Sequence, residues 1–406
     1  MVLKGEFFEM SLFDEFLDIN PRVEYFPEYD PVGEQKGICF SGIKALAYDG
    51  ADYLDKHTKV FAHVGFPENV EYPVPAVVLV HGAGGHPEDV WIKKWNKRGY
   101  AAIAMDVTGF FPTKPIPCIY EGYAEGLKRE LKEPFYEEGY TVSPDNSGMS
   151  DCDAPLNSQW MYHAVSQVIL AHNILRNDER VDSSQIGIVG ISWGGIIASI
   201  AIGYDDRFAF AVPIYGSGYL SENYGILRDD FQRPSTIIWM AEKHFNRVTF
   251  PVMWLCWNDD CCFSVNSNSL SYLDTRTNNE NTCLTMLHNM HHSHKCGYNP
   301  MESYWFADEV LKGRGIPGVN AEYADGRVLY SCTQKVQKVR LFYITQSMSY
   351  IRRYKYGENN LFMEQDWQIV ELNPNENSAV LPDNAVGKYV EFTLENGIIL
   401  TTPYNE

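Results

Sequence analysis

Residues 185–200 read QIGIVGISWGGIIASI, with Gly190, Ser192 and Gly194 in a G-x-S-x-G arrangement and Gly195 directly after it. A serine hydroxyl is a weak nucleophile until an imidazole takes its proton, and that imidazole needs a carboxylate to orient it. The motif is short, but here it follows an apolar run of strand character and opens a helical run of small residues. That strand–turn–helix context is what a nucleophile elbow requires. In so tight a turn the residues two before and two after the serine must lack side chains, and the serine is held in a strained conformation with its hydroxyl exposed. Ser192 is therefore the expected nucleophile. The plain alternative, a glycine turn that only packs helix on strand, leaves the serine unexplained.

The partners should follow in the order carboxylate, then histidine. The run PVMWLCWNDD ends in Asp259 and Asp260, and carboxylates at strand ends lie at the face where ligands bind. Asp260 is preferred, because one more residue lets the chain turn outward. Asp259 is the alternative, since alternation puts the two on opposite faces. The next apolar run leads into LHNMHHSHKC (287–296), which holds four of the eleven histidines. His288 is still on or near the strand. His292 is best placed for a loop curling back over Ser192, with His291 and His294 as alternatives. Cys256, Cys261, Cys262, Cys283 and Cys296 lie nearby, so a zinc site is a competing reading. It lacks C-x2-C or H-E-x-x-H spacing and would leave the serine turn idle.

The oxyanion donors should come from two places. One is the N–H of Trp193, just after the serine. The other is the loop VHGAGG (80–85), where small residues let the backbone approach a carbonyl oxygen; Ala83 is the first choice and Gly84 the next. His81 reads as a residue that holds this loop. A phosphate-cradling loop would need the Lys-Ser/Thr ending that is missing here.

These residues need a scaffold. Apolar runs at 74–82, 100–106, 185–192, 208–216, 250–258 and 282–289 alternate with helical patterns at 87–99, 158–178, 194–203 and 301–313. The fold class expected is α/β, a mostly parallel sheet flanked by helices. Residues 1–44 read as an N-terminal arm with one short helix (10–18), and 45–315 as the catalytic domain. Within it, 107–157 reads as a lid-like insertion rich in Pro, Tyr and acidic residues. Residues 318–406 show only short alternating strands and read as a separate β-sandwich. The insertion carries Phe110, Phe111, Tyr120, Tyr123, Phe135 and Tyr140, followed by Trp160 and Tyr162. Aromatic faces with polar rims suit sugar rings, so Tyr120, Tyr123 and Trp160 are the candidate substrate contacts. The plain alternative is that these aromatics pack the insertion against itself.

The formal charge of −20 argues against nucleic acid and anionic lipid as partners. The N-terminus has no basic segment followed by an apolar run, and no apolar stretch approaches 18 residues. Nine cysteines without a regular framework suggest reduced thiols and a cytoplasmic protein. The partner expected is a small-molecule or oligosaccharide ester, with self-association left open. No cofactor and no metal are expected.

Together VVLVHGAGG, RGYAAIAMD, GIVGISWGG, DDRFAFAVPIYG, PVMWLCWNDD and NMHHSHKCGY resemble the α/β-hydrolases, most closely the acetylxylan esterase and dienelactone hydrolase-like branch. The resemblance spans about residues 45–313, with the blocks in order. It implies a cofactor-free enzyme that deacetylates sugars or cleaves other small esters. It carries the family's triad onto Ser192, Asp260 and His292, the last because many members read NMPHSH at that block, and its donors onto Ala83 and Trp193. Two positions depart from the sugar deacetylases: VTGFFPT stands after Asp106 in place of an Arg-Gly-Gln run, and Trp193 replaces a frequent Gln. The competing functions are a prolyl-oligopeptidase-like serine peptidase, a hydrolase of a non-sugar small ester, and a non-catalytic binding protein.

Overall fold

The computed structural model describes residues 12–35, 37–109, 148–350, 354–356, 361–363 and 365–406. Phe110, Phe111, Tyr120, Tyr123, Phe135 and Tyr140 lie outside the described residues.

The central element is a nine-stranded sheet. Its strands are β1 (Val23–Tyr25), β4 (Lys44–Asp49), β5 (Lys59–Gly65), β6 (Val74–Val80), β7 (Ala101–Met105), β8 (Val181–Ile191), β9 (Phe210–Ile214), β10 (Met253–Trp257) and β11 (Cys283–Leu287). Between β1 and β4, β2 (Glu34–Gln35) and β3 (Ile38–Cys39) form a small ladder of their own. The order across the large sheet is β1-β4-β5-β7-β6-β8-β9-β10-β11. From β7 to β11 all neighbours are parallel, and the β1–β4–β5–β7 end is antiparallel. The continuous apolar runs of β6, β7, β9 and β10 are almost entirely buried, as expected of strands covered on both faces.

Part of the segment read as an N-terminal arm belongs to the large sheet. Val23–Tyr25 pairs with β4 and extends the sheet, while Phe13 is fully buried against Tyr162 and Tyr204. A short edge strand is hard to see in sequence, because three residues carry no usable period. The helix expected over 10–18 appears as Asp14–Leu17 among the described residues.

Helices Asp89–Asn96, Trp160–Arg176, Trp193–Ala201, Val265–Arg276 and Met301–Leu311 cover the sheet. Trp160–Arg176 is buried over nearly its whole length, which explains its apolar composition on more than one face. None of the described helices is long and apolar enough to cross a membrane.

The C-terminal segment contains β12 (Val319–Ala324), β13 (Arg327–Cys332), β14 (Val336–Ile344), β15 (Tyr354–Tyr356), β16 (Leu361–Met363), β17 (Gln368–Leu372), β18 (Ser378–Val380), β19 (Gly387–Leu394) and β20 (Ile399–Thr401). A three-stranded sheet, β12-β13-β18, and a four-stranded one, β17-β14-β19-β20, enclose a core of Val328, Tyr330, Val339, Leu341, Leu372, Val390 and Phe392. This unit packs on the large sheet. Thr285 Oγ1 donates to Ile399 O, Thr401 Oγ1 to Leu284 O, Ile399 N to Glu302 and Tyr404 N to Ser269. An edge strand such as β11 presents unpaired backbone groups, and the C-terminal unit covers it.

Candidate active site

β8 ends at Ile191 and the helix begins at Trp193, so Ser192 alone makes the turn. Its backbone stands at φ 59°, ψ −121°, a strained conformation for a residue with a side chain. The neighbouring glycines permit it. A Cβ on Gly190 would lie 2.0 Å from Gly194 O, and one on Gly194 would lie 2.1 Å from Val80 O. Both obstacles are backbone and have nowhere to go.

The turn after β10 carries the two aspartates. Asp260 is fully buried, and its Oδ1 accepts N–H bonds from Cys262 (2.8 Å) and Phe263 (3.1 Å). Its Oδ2 lies 2.7 Å from His292 Nδ1, and His292 Nε2 lies 2.8 Å from Ser192 Oγ. Tyr215 (4.7 Å, 26°) and Phe263 (6.0 Å, 9°) stack against the imidazole. Ser192 and His292 are partly exposed.

Asp259 does not join this contact. Burial, reinforced by the charge of Asp260 and opposed by the Trp367 indole, pushes its carboxyl up to about 7. The other histidines each have a different place. His288 meets Asn258 (3.1 Å) and packs on Phe342, while His291 packs edge-on against Trp257. His294 turns to the glycine loop, where its Nε2 accepts the Gly82 N–H at 2.9 Å. Burial pushes His294 down to about 4, against the opposing pull of Glu88, so it is a neutral acceptor. His81 ties the same loop from the other side. Its Nδ1–H donates to Gly82 O (2.8 Å) and its Nε2 accepts from Val107 N (3.1 Å), with burial again lowering it to about 4.

The Gly82 N–H is thus engaged, and the Gly85 N–H donates to Gly82 O. The N–H groups of Ala83 and Gly84, both exposed, and of Trp193 make no hydrogen bond among the described residues. The loop and the helix start each keep a donor available for a developing negative charge.

The family model described as acetyl xylan esterase (AXE1) matches residues 43–228, and the model of the prolyl oligopeptidase family matches residues 153–310. The chain has the α/β-hydrolase fold, and over residues 43–228, less than half of its length, it is similar to the acetyl xylan esterases. It is accordingly a serine hydrolase, as both matched families are. The acetyl xylan esterase from Paenibacillus sp. R4 shares its fold at 17% identity and a TM-score of 0.50, over 76% of this chain and 96% of that one. That from Thermoanaerobacterium sp. is 14% identical with a TM-score of 0.49, over 74% and 92%. An acylaminoacyl peptidase from Pyrococcus horikoshii is 13% identical with a TM-score of 0.48, over 70% and 43%. No curated protein sequence matches the chain.

In this hydrolase Trp160 cannot be a substrate contact as it stands. Its side chain is 1% exposed, its Nε1 donates to Val107 O, and its ring meets Trp193 edge-on at 5.5 Å. A start-of-helix aromatic after a long insertion suggested a cleft wall; the large sheet instead needs that ring for its own core. Trp193 is also buried, against Trp160, Phe231 and Gly148, where a Cβ would lie 2.4 Å from the indole. The sequence reading missed Tyr215, Phe263 and Asn258. Nothing marks them except their closeness along the chain to strand ends, which many residues share.

Proposed function

We propose that this hydrolase is a serine carboxylesterase that removes short acyl groups, acetyl first among them, from a carbohydrate. Ser192 is the nucleophile, His292 the general base and Asp260 its orienting carboxylate. The N–H groups of Ala83 and Trp193 receive the oxyanion. The observation that carries the reading is the unbroken Ser192–His292–Asp260 hydrogen-bond chain on a strained turn.

As Ser192 Oγ bonds to the acyl carbon, its proton passes to His292 Nε2, and Asp260 stabilises the imidazolium. The carbonyl oxygen becomes an oxyanion facing the two N–H donors. Collapse breaks the bond to the alcohol, which takes the proton back from His292. A water then attacks the acyl-enzyme by the same route. This chemistry requires no metal, and a chelator should leave turnover intact. Likeness to the acetyl xylan esterases supports an acetylated sugar as substrate. The match to the prolyl oligopeptidase family supports a second reading, in which the same groups cleave an amide. The eight described cysteines form no disulfides, which fits a cytoplasmic site of action.

The test is a p-nitrophenyl ester series from acetyl to octanoyl, run beside aminoacyl-p-nitroanilides, with Ser192→Ala as the blank. Acetyl esters should be cleaved fastest, and the blank should lose activity by several orders of magnitude. Faster cleavage of the anilides would favour the peptidase. Turnover within tenfold of the unmodified chain in Ser192→Ala would remove the nucleophile from the account. Replacing Tyr120 and Tyr123 by Ala should relax the preference for short acyl chains if the insertion walls the cleft.

A further inference from the structure

The acid of the proposed triad sits beside sulfur. Asp260 is followed by Cys261 and Cys262, whose Sγ atoms lie 3.7 Å apart without a disulfide. One ligand atom from each of Asp260, Cys262 and His292 lies within 4.8 Å of the other two. Asp260 closes this cluster from the interior, while Cys262 and His292 are partly exposed and give access from outside. The proposed function uses Asp260 and His292 and leaves the Cys262 thiol without a task.

We propose that Asp260, Cys262 and His292 form an inhibitory site for a thiophilic divalent cation, Zn²⁺ in the first place, which captures His292 from the triad. The inference rests on the assignment of His292 as general base. Thiolate, imidazole and carboxylate are the ligand types zinc prefers, and three protein ligands leave a fourth tetrahedral position open. One carboxylate and one thiolate cancel the charge of the ion, so no net charge is buried.

Of the two imidazole nitrogens, Nδ1 is the one beside Asp260, at 2.7 Å from Oδ2. Two ligand atoms about 2.0–2.1 Å from a tetrahedral zinc stand roughly 3.3 Å apart, so a small opening of this contact admits the ion. In the active form Nδ1 carries the proton and Nε2 offers its lone pair to Ser192. Zinc bonds to Nδ1, Oδ2 and Cys262 Sγ. The Nδ1 proton relocates to Nε2, and the thiol proton leaves to solvent. No atom changes oxidation state. The imidazole remains neutral, but its Nε2 is now an N–H and cannot accept the Ser192 proton. The cation is therefore not a cofactor: turnover proceeds without it and stops with it.

The experiment uses the full chain after chelator treatment. Hydrolysis of p-nitrophenyl acetate is followed while ZnCl2 is added, each variant being compared with its own zinc-free rate. Micromolar zinc should slow the unmodified chain at least tenfold, and EDTA should restore it. Cys262→Ala removes the sulfur but keeps the backbone N–H that holds Asp260, and should need at least tenfold more zinc. Cys261→Ala should behave like the unmodified chain. Independently of turnover, Co²⁺ added to Ser192→Ala should give a thiolate-to-cobalt absorption band in the near ultraviolet, lost when Cys262→Ala is added. Absence of that band, or zinc sensitivity unchanged in Cys262→Ala, overturns the site. A Cys262-dependent band with no effect of zinc on turnover overturns the inhibition and traces the fault to the role given to His292.

Discussion

His292 and His294 stand two residues apart and do different work, and substitution should separate them. His292→Ala removes the proposed base, and turnover of an acetyl ester should fall by roughly 10⁴-fold or more. His294→Ala leaves the Gly82 N–H without its acceptor and loosens the glycine loop. Its turnover should fall by roughly ten- to a hundredfold, less than the ~10²–10³ lost with a whole oxyanion donor. His294→Gln restores an acceptor and should recover part of that loss, whereas His292→Gln should not. A steeper loss in His294→Ala than in His292→Ala would reverse the two roles. The same residues predict a pH dependence of stability. His81 and His294 titrate at about 4 in the fold and at 6.5 in an unexceptional setting. Between those values the unfolded chain binds more protons, so their contribution is complete above about 6.5 and is lost as pH falls toward 4. Asp259 has the opposite sign. Its carboxyl is raised from 3.8 to about 7, so its contribution declines as pH rises through that window. Urea unfolding of Asp259→Asn beside the unmodified chain should show a gain for the variant at pH 8 that shrinks toward pH 4. An equal difference at both pH values would remove Asp259 as the cause.

The elbow works as an element because three backbone segments meet with no space between them. Gly194 passes Val80 and His81 at the end of β6, and Gly195 passes Gly216 after β9. Gly194→Ala would drive a Cβ to 2.1 Å from Val80 O, and the sheet cannot part without breaking its parallel ladder. Circular dichroism and size exclusion should find little native protein. Gly99 is the useful comparison. It has φ +89° but nothing within 4 Å of an added Cβ, so Gly99→Ala should cost only about 1–2 kcal/mol of backbone strain. Equal destabilisation of the two variants would mean that steric closure is not what the elbow glycines provide.

Across the whole molecule, the C-terminal sheets reach the turn that carries the acid. Tyr389 of β19 is fully buried, and its hydroxyl accepts a bond from Asn258, which also meets His288. Phe342 of β14 packs on His288 and stacks on Tyr389. Asn258 immediately precedes Asp259 and Asp260, so this contact braces the proposed acid from behind. Tyr389→Phe should lower kcat several-fold with KM little changed, and lower stability by about 1 kcal/mol. Tyr330→Phe is the control. Its hydroxyl bonds Asn373 O inside the C-terminal unit, away from that turn, so it should lower Tm without changing kcat. A fall in kcat for both variants would reduce the C-terminal sheets to a general stabiliser.

Local features settled a large part of this protein in advance. Buried parallel strands announce themselves as unbroken apolar runs, and a tight strand-to-helix turn announces itself through glycines that it cannot do without, so the α/β class and the strained turn at Ser192 were legible in the chain. The order of acid and base along the chain narrowed the search to Asp259 or Asp260 and to four histidines. It could not choose among them on spacing alone, because side chains one or two residues apart differ by the direction a loop takes, and loop direction is set by distant contacts. The resemblance favoured His292. In the fold Tyr215 and Phe263 stack against the His292 ring, while Gly82, 212 residues from His294 in sequence, engages the latter. Trp160 shows the converse limit: an aromatic residue reads the same in sequence whether it lines a cleft or fills a core, and only packing against Trp193 and Val107 O decides. Likewise, alternating strands after residue 318 declare a β unit, but their seat against β11 depends on side-chain bonds between segments about 115 residues apart. Such pairings leave no period in the chain, and they exist only once the sheet has formed.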